Sequence, residues 1–213
     1  MKISFAICSH DEGESLRKLL KSLVEFGPKN SEIIVVDDFS KDSETLNILE
    51  KEFNNDISIF THKLREDFSA HKNFMNAMCM GDYIVNLDAD EYLAPDLLMN
   101  LEAIIESNES VDLFWVPRVN IVHGITDEHI QKWGWNLTDS PYGPVVNWPD
   151  SQSRIYKNSP ETEIKWVGKV HERIETKGLY CFLPAEFNFS IIHEKSISRQ
   201  VSQNEFYSKI MKV

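Results

Sequence analysis

Two carboxylates two positions apart follow a short apolar run, and their types and spacing suit metal-assisted chemistry. Asp88 and Asp90 come directly after the apolar residues of segment 82–91, which is typical of a buried strand. Successive strand side chains point to opposite faces, so the two carboxylates share a face if the chain stays extended. Like charges held together there are unfavourable unless a cation joins them. A divalent ion bound by carboxylates and substrate phosphates would do so, which indicates chemistry on a phosphate-bearing donor.

The elements that position these carboxylates are predicted by apolar runs in residues 1–95. Four continuous runs are predicted as strands, at residues 3–8, 32–36, 57–61 and 83–87. Helices are predicted between them, near residues 16–24, 41–53 and 69–80, the last with Ser69 as its cap. Unbroken apolar strands are typical of a parallel sheet covered by helices on both faces. Ligands of such sheets bind beyond the carboxyl ends of the strands, so Asp38 and Asp88 are expected in one crevice.

The second half of the chain has a different pattern. A helix is predicted at 95–107 and one strand at 111–122, and the long segment 124–150 is rich in aromatic and turn residues. Short strands follow at 152–156, 164–174, 179–183 and 189–193, and a terminal helix at 198–212. There is no internal repeat, low-complexity tract or linker. We therefore predict one α/β domain spanning residues 1–213.

The composition argues against several classes of partner. The chain has 213 residues, a net charge of −12 and a sequence pI near 5.0, so neither nucleic acid nor an anionic lipid surface is expected as a partner. No stretch approaches the ~20 apolar residues of a membrane span, and the first residues do not resemble a signal peptide. Three widely spaced cysteines fit a reducing compartment. We expect a cytoplasmic protein without a transmembrane segment.

Four segments, in this order and spacing, resemble the signature elements of the family 2 glycosyltransferases. They are residues 7–16 (Ile-Cys-Ser-His-Asp-Glu-Gly-Glu-Ser-Leu), 35–43 (Val-Val-Asp-Asp-Phe-Ser-Lys-Asp-Ser), 71–73 (His-Lys-Asn) and 86–91 (Asn-Leu-Asp-Ala-Asp-Glu). The resemblance covers roughly residues 1–95. It implies the GT-A fold, a Rossmann-like, mixed and mostly parallel sheet flanked by helices. It also implies that residues 1–95 bind a nucleotide-diphosphate sugar, with a UDP-sugar favoured, and that 96–213 bind the acceptor.

The resemblance assigns roles to residues of the first half. Ser9 and Asp11 would lie beside the base, and Asp38 would accept a hydrogen bond from a base N–H. Lys72 would approach the nucleotide as a compact positive charge. Asp88 would lie near the ribose and the metal, and Asp90 would bind the metal directly. The implied cofactor is a divalent ion, Mn²⁺ or Mg²⁺.

The second half resembles a narrower group of these enzymes, the bacterial transferases that build lipopolysaccharide cores and other surface glycans. The matching segments are residues 152–156, 166–174 and 191–195. By this resemblance Arg154 belongs to the donor site and His193 completes the metal site. Glu172 is the candidate base for an inverting transfer to a hydroxyl of a glycan or similar acceptor, because its carboxylate is ionised at neutral pH.

Structural alternatives remain open for these residues. Asp88 and Asp90 could form a polar turn, with Asp90 capping the helix near Pro95. Glu172 could form a surface salt bridge with Arg173 or Lys169, and His193 or Arg154 could be structural.

Two other classes of function also remain. A non-catalytic sugar- or nucleotide-binding module is one. A sugar nucleotidyltransferase is the other, although the Gly-rich phosphate loop of that class is missing after the first predicted strand.

The aromatic residues of segment 124–150 have two interpretations. Trp133, Trp135, Tyr142 and Trp148 suit stacking on a sugar or docking of the acceptor, and they equally suit packing of a long loop. Long loops in compact domains are often functional lids. We hypothesise that residues 124–150 become ordered when donor or acceptor binds.

Overall fold

The computed structural model describes residues 1–211, and a seven-stranded mixed sheet forms its centre. The strands of the chain are β1 Ile3–Ser9, β2 Ser31–Asp37, β3 Ser58–Thr61, β4 Tyr83–Asp88, β5 Glu91–Leu93, β6 Leu113–Val116, β7 Arg118–His123, β8 Leu137–Thr138, β9 Val145–Val146, β10 Gln152–Lys157, β11 Lys165–Val167, β12 Arg173–Glu175, β13 Tyr180–Phe182 and β14 Ile191–Ser196. The central sheet has the order β13-β6-β10-β4-β1-β2-β3. Strands β1 to β4 are mutually parallel, whereas β10 is antiparallel to both of its neighbours.

Helices flank this sheet. They are α1 Gly13–Phe26, α2 Ser43–Asn47, α3 Phe68–Met78, α4 Pro95–Glu106, α5 Asp127–Trp133 and α6 Ile197–Ile210, and a π-helical turn at Ile48–Glu52 extends α2. The predicted cap of α3 is wrong, because the carboxylate of Asp67, not Ser69, accepts the hydrogen bond from the Ala70 amide at 2.9 Å. The terminal helix was predicted to reach residue 212, which lies outside the described residues. No helix in residues 1–211 is long and apolar enough to cross a membrane.

The core lies on both faces of the central sheet, which confirms the interpretation of the unbroken apolar runs. Side chains of β1 alternate between the two faces, so Ile3, Phe5 and Ile7 belong to one buried cluster and Ala6 belongs to the other. All four of these side chains are fully buried. Both faces of β1 are therefore covered, as expected for the middle of a doubly covered sheet.

A single predicted strand at 111–122 is wrong, because Pro117 divides it. Proline has no N–H to donate to a neighbouring strand, and the chain changes sheet at this residue. The first part, β6, pairs with β10 in the central sheet. The second part, β7, pairs with β14 in a five-stranded sheet of order β5-β14-β7-β9-β8. The two sheets are therefore joined at Pro117, and they are joined again where β5 follows the end of β4.

The segment predicted as one strand at 164–174 is an antiparallel hairpin. Strands β11 and β12 pair with each other, with Trp166 opposite Ile174. The turn between them contains two residues with positive φ, Gly168 at 95° and His171 at 54°. Glycine adopts this conformation without strain, which explains why the chain reverses there. The Phe68 amide donates a hydrogen bond of 3.0 Å to the Lys169 carbonyl, so the hairpin turn is attached to α3.

Candidate active site

A cavity of about 450 Å³ opens at the carboxyl ends of β1, β2 and β4. Eight of the nine residues selected from the sequence line it: Ser9, Asp38, Lys72, Asp88, Asp90, Arg154, Glu172 and His193. Parallel strands end at the same edge of a sheet, so residues far apart in sequence meet there. The structure thus brings Asp38 and Asp88 to one crevice, as the topology predicted.

Asp11, the ninth residue, does not line this cavity. Its carboxylate accepts hydrogen bonds from the backbone amides of Lys41 and Asp42, at 2.6 and 2.7 Å. These two bonds lower the pKa of Asp11. In this structure Asp11 joins the loop after β1 to the loop before α2, so its contacts are structural.

Asp88 lies at the end of β4 and is paired with two cations. Its carboxylate is 3.2 Å from the Lys72 ammonium and 2.5 Å from the Arg154 guanidinium. Burial alone would raise the pKa of Asp88, but the charges of Arg154 and Lys72 outweigh it and hold that pKa well below its usual range. The repulsion expected between Asp88 and Asp90 is thus relieved at Asp88 by protein side chains.

Asp90 has different partners, because the chain turns after Asp88. Its carboxylate is 3.4 Å from Nε2 of His193 and 3.5 Å from the guanidinium of Arg199. Burial opposes ionisation of Asp90, but His193 and Arg199 outweigh it and lower the pKa. The alternative in which Asp90 caps the following helix is not observed, since Ala94 occupies the N-cap of α4 without a side-chain hydrogen bond.

The orientation of His193 is set by a chain of hydrogen bonds. The Asn120 amide nitrogen donates to Asp150 at 2.7 Å, which leaves the Asn120 amide oxygen facing Nδ1 of His193 at 2.8 Å. An amide oxygen only accepts, so Nδ1 carries the hydrogen that binds Asn120, and the ring is held with Nε2 facing Asp90. A histidine held at its far nitrogen beside a carboxylate is the usual arrangement of a metal ligand.

The described residues contain no cluster of three or more His, Cys, Asp or Glu side chains arranged to hold a metal ion. Asp90 and His193 nevertheless offer two ligand atoms on one wall of the cavity. Hard divalent ions are often bound by few protein ligands, with substrate phosphates and water in the other positions. These two residues fit an ion of that kind.

Glu172 lies in the turn of the β11–β12 hairpin and is paired with Lys72. Its Oε1 atom is 2.8 Å from the Lys72 ammonium, which also lies 4.5 Å from the ring centroid of Trp166. Burial alone would lower the pKa of Lys72, but the charges of Asp88 and Glu172 raise it. Lys72 therefore joins Glu172 to Asp88, and neither Arg173 nor Lys169 is the partner of Glu172.

The cavity wall where β1 and β2 end is formed by Ser9 and Asp38. Asp38 accepts a hydrogen bond of 2.9 Å from the Leu64 amide, so it holds the loop before α3. The Ser9 hydroxyl is buried and lacks a hydrogen-bond partner among the described residues. Buried polar atoms are nearly always hydrogen-bonded in native proteins, so an unpaired hydroxyl on a cavity wall is suited to bind a ligand.

Several polar residues of this site escaped the sequence analysis. The fully buried carboxylate of Glu91 accepts hydrogen bonds from Arg118 at 2.9 Å and from Arg154 at 2.8 Å. Arg118 also donates to Asp150, at 2.7 and 3.0 Å. Arg199, on α6, contacts both Glu12 and Asp90. Glu91 adjoins the recognised carboxylates, whereas Arg118, Asp150 and Arg199 belong to no recognisable motif.

The aromatic residues singled out in segment 124–150 do not line the cavity. Trp133 packs on Trp135 with ring centroids 4.7 Å apart, and Trp148 stacks on Phe187 at 4.3 Å. Tyr142 is exposed. The aromatic side chains of the cavity come from other elements: Phe68, Trp115, Trp166 and Tyr207. The packing interpretation accounts for Trp133, Trp135 and Trp148 in this structure.

Comparisons with known proteins identify the family. The family model "Glycosyl transferase family 2" matches residues 4–180. An uncharacterized glycosyltransferase of Haemophilus influenzae is 23% identical over 115 residues, which are 54% of this chain and 38% of that protein.

Solved structures of S. aureus TarS are similar in fold. TarS 1–349 aligns with a TM-score of 0.59 and 17% identity, over 91% of this chain and 60% of that one. Its complex with UDP-GlcNAc aligns with a TM-score of 0.53 and 17% identity, over 89% of this chain and 60% of that one. These likenesses, together with the mixed sheet and its flanking helices, confirm the GT-A fold expected from the sequence.

This chain therefore spans less than two thirds of the length of these relatives. The family match, in contrast, covers most of the chain. It includes every cavity residue named above except His193, Arg199 and Tyr207. The chain belongs to glycosyltransferase family 2.

Proposed function

We propose that this chain transfers a sugar from a nucleotide-diphosphate sugar to a hydroxyl of a glycan or similar acceptor, with inversion at the anomeric carbon. The convergence of Ser9, Asp38, Asp88 and Glu172 on one cavity carries this proposal. The chain's similarity to TarS, which was solved with UDP-GlcNAc and with UDP, favours a UDP-sugar as the donor.

The donor occupies the cavity with its base near Ser9 and Asp38. The unpaired Ser9 hydroxyl would find its partner on the nucleoside. Asp38 keeps one carboxylate oxygen for the Leu64 amide and offers the other to a base N–H. Arg199 and Lys195 line the same cavity and supply positive charge for the diphosphate.

Glu172 acts as the general base. The acceptor hydroxyl attacks the anomeric carbon and its proton passes to the Glu172 carboxylate, while the bond from carbon to the diphosphate oxygen breaks on the opposite face. Lys72 holds Glu172 and Asp88 together, because it lies within 3.2 Å of both. Correct placement of the base beside the donor reduces the entropy cost of reaching the transition state.

A divalent ion, Mn²⁺ or Mg²⁺, would be held by Asp90 and His193, and Asp88 lies beside them. When bound, such an ion neutralises charge on the departing diphosphate. The hydrogen bond from Asn120 to Nδ1 keeps Nε2 of His193 directed at this position.

The base assignment is tested by Glu172→Gln, with Glu175→Gln as a matched control on the same hairpin. Glu175 is exposed and pairs with Arg173 at 3.1 Å. We expect Glu172→Gln to slow UDP-sugar turnover by roughly 10²–10⁴ while UDP binding is retained, because the amide cannot take a proton. Unchanged turnover, or loss of UDP binding together with turnover, would mean that Glu172 is structural.

Segment 124–150 remains a candidate lid. Its last residue, Asp150, is bound to Arg118 and Asn120, and Asn120 contacts His193, so the segment ends beside the site. We expect amide hydrogen exchange in residues 124–150 to slow when UDP binds. Equal exchange with and without UDP would remove the lid hypothesis.

The cellular compartment stays a prediction. Cys8, Cys79 and Cys181 are all free thiols in the structure, which agrees with a reducing cytoplasm.

A further inference from the structure

The outer strands of the central sheet carry a second cavity of about 660 Å³. We call it the aromatic groove and define it by six of its lining residues: Trp115, Lys165, Ile174, Glu175, Tyr180 and Phe182. It lies between the edge strand β13 with its neighbour β6 on one side and the β11–β12 hairpin on the other. No motif recognised in the sequence includes these aromatic residues.

Three aromatic rings form the floor of this groove. Phe182 lies opposite Trp115 in the strand register, and their rings are stacked with centroids 5.5 Å apart. Tyr180, two positions earlier on the same face of β13, packs edge-on against Phe182 at 6.2 Å. Tyr180 and Phe182 are 63% and 58% exposed. A contiguous aromatic surface of this kind marks a binding site more often than a chance exposure.

The aromatic groove adjoins the active-site cavity. Trp115 lines both. The β11–β12 hairpin also joins them, because Lys165 and Glu175 on its strands line the groove while Glu172 in its turn lines the cavity. A chain-like ligand lying in the groove would therefore extend along the hairpin towards Glu172.

The chemistry of the groove suits a neutral oligosaccharide. A sugar ring has an apolar face that packs on aromatic rings and hydroxyls that need polar partners at its edges. Lys165 and Glu175 supply such partners at the rim, and Glu163 and Lys177 form an ion pair of 3.0 Å there. Because both charge signs are present at the rim, it does not select for a strongly charged ligand.

We propose that the aromatic groove binds the acceptor, a neutral oligosaccharide whose rings lie against Trp115, Phe182 and Tyr180 and whose terminal hydroxyl reaches Glu172. This inference rests on the proposed function and deepens it, since it names an extended glycan as the acceptor class. It also assigns acceptor recognition to β13 and the hairpin rather than to segment 124–150.

The test measures binding of a defined panel, the mono- to hexasaccharides of glucose, galactose and N-acetylglucosamine, in the presence of UDP and Mn²⁺. The variants are Phe182→Ala and Tyr180→Ala, and the matched control is Phe26→Ala at the end of α1, where the side chain is 56% exposed. We expect wild type to bind panel members, longer ones more tightly. We expect each groove variant to lose about tenfold in affinity and the control to lose none.

The outcomes separate this inference from the proposed function. We expect UDP binding and slow UDP-sugar hydrolysis to be the same in wild type, Phe182→Ala and Tyr180→Ala. If wild type shows neither of them but still binds the saccharides, the proposed function is refuted and the groove assignment stands. Failure of wild type to bind any panel member, or equal binding by the groove variants, overturns the groove assignment. A wild-type dimer that Phe182→Ala dissociates in light scattering also overturns it, because the groove would then be a self-association surface.

Discussion

The two sides of the active-site cavity differ in how each neutralises its carboxylate. On one side Asp88 contacts Lys72 and Arg154, two cations that stay charged at any physiological pH. On the other side Asp90 faces Nε2 of His193 at 3.4 Å and the guanidinium of Arg199 at 3.5 Å. The first carboxylate is paired with two cations of the protein, whereas the second is the one that we propose shares an external ion.

Two residues of one short motif thus have different surroundings, and we propose different roles for them. The Asp88 side forms a buried network that includes Glu91 and Arg118, and it maintains the shape of the cavity. On the Asp90 side Asn120 fixes the orientation of His193, and we propose that Asp90 and His193 bind the ion there. Perturbing the first side should therefore affect folding, and perturbing the second should affect binding.

The largest effect is expected from Arg154→Met, which removes the cation between Asp88 and Glu91. Asp88 would keep only Lys72 and the buried Glu91 only Arg118 as a cation partner, so the free energy of unfolding should fall by about 3 kcal/mol. Urea denaturation measures this loss. Arg173→Met, at an arginine that is mostly exposed, is the control and should change stability by less than about 0.5 kcal/mol. Equal stability of the two variants would show that Arg154 does not hold the network.

The next effect concerns the other side of the cavity. Asp90→Asn should weaken Mn²⁺ binding in the presence of UDP by roughly 10–100-fold, because it removes a charged ligand while His193 stays in place. Electron paramagnetic resonance of free Mn²⁺ measures the affinity. Asp139→Asn, at an exposed position of segment 124–150, is the control. Unchanged Mn²⁺ affinity in Asp90→Asn would contradict the division between the two sides.

A smaller, pH-dependent effect is expected at Asp150. Burial opposes its ionisation, but the charge of Arg118 and the hydrogen bond from Asn120 outweigh it and lower the pKa. A carboxylate whose folded-state pKa is depressed adds stability above its unfolded pKa, near 3.9, and this stability is lost as the pH falls further. Asp150→Asn should cost about 1–3 kcal/mol at pH 7, since it weakens charged hydrogen bonds.

The measurement for Asp150 is urea denaturation of wild type and Asp150→Asn between pH 7 and pH 3. The difference in the free energy of unfolding should narrow as the pH falls below about 4. A difference that stays constant over this range would show that the Asp150 charge does not stabilise the fold.

The smallest effect is expected from Ser9→Ala. The Ser9 hydroxyl is buried without a partner among residues 1–211, so its removal should change the free energy of unfolding by less than about 0.5 kcal/mol. UDP affinity should fall by about 3–10-fold, because one hydrogen bond is lost. A clear loss of stability with unchanged UDP affinity would show that Ser9 supports the fold and does not contact the nucleotide.

The first half of the fold was predictable from sequence because its signals are local. Strands β1, β2 and β4 are mainly apolar runs that end in polar residues, and their observed bounds differ from the predicted ones by a single residue at most. The second half depends on pairings between distant segments. Pro117 and the choice of neighbouring strands decide whether residues 113–116 and 118–123 share a sheet. The spacing of apolar residues in the sequence does not predict that choice.

The candidate site was predictable to the extent that its residues belong to short motifs. Lys72, Asp88 and Asp90 each stand in a recognisable segment, and the cavity contains all three. Arg118, Asp150 and Arg199 have roles only because the folded chain brings them to buried carboxylates. Single charged residues are common on protein surfaces, so nothing in their local sequence distinguishes them.

The binding of a nucleotide-diphosphate donor together with a divalent ion is tested by calorimetric titration of the wild-type chain with UDP and with GDP, each with Mn²⁺ and with a chelator. We expect saturable binding of UDP at one site per chain, weaker binding of GDP, and a large loss of UDP affinity when Mn²⁺ is removed. Absence of binding by both nucleotides at millimolar concentration in the presence of Mn²⁺ would contradict it.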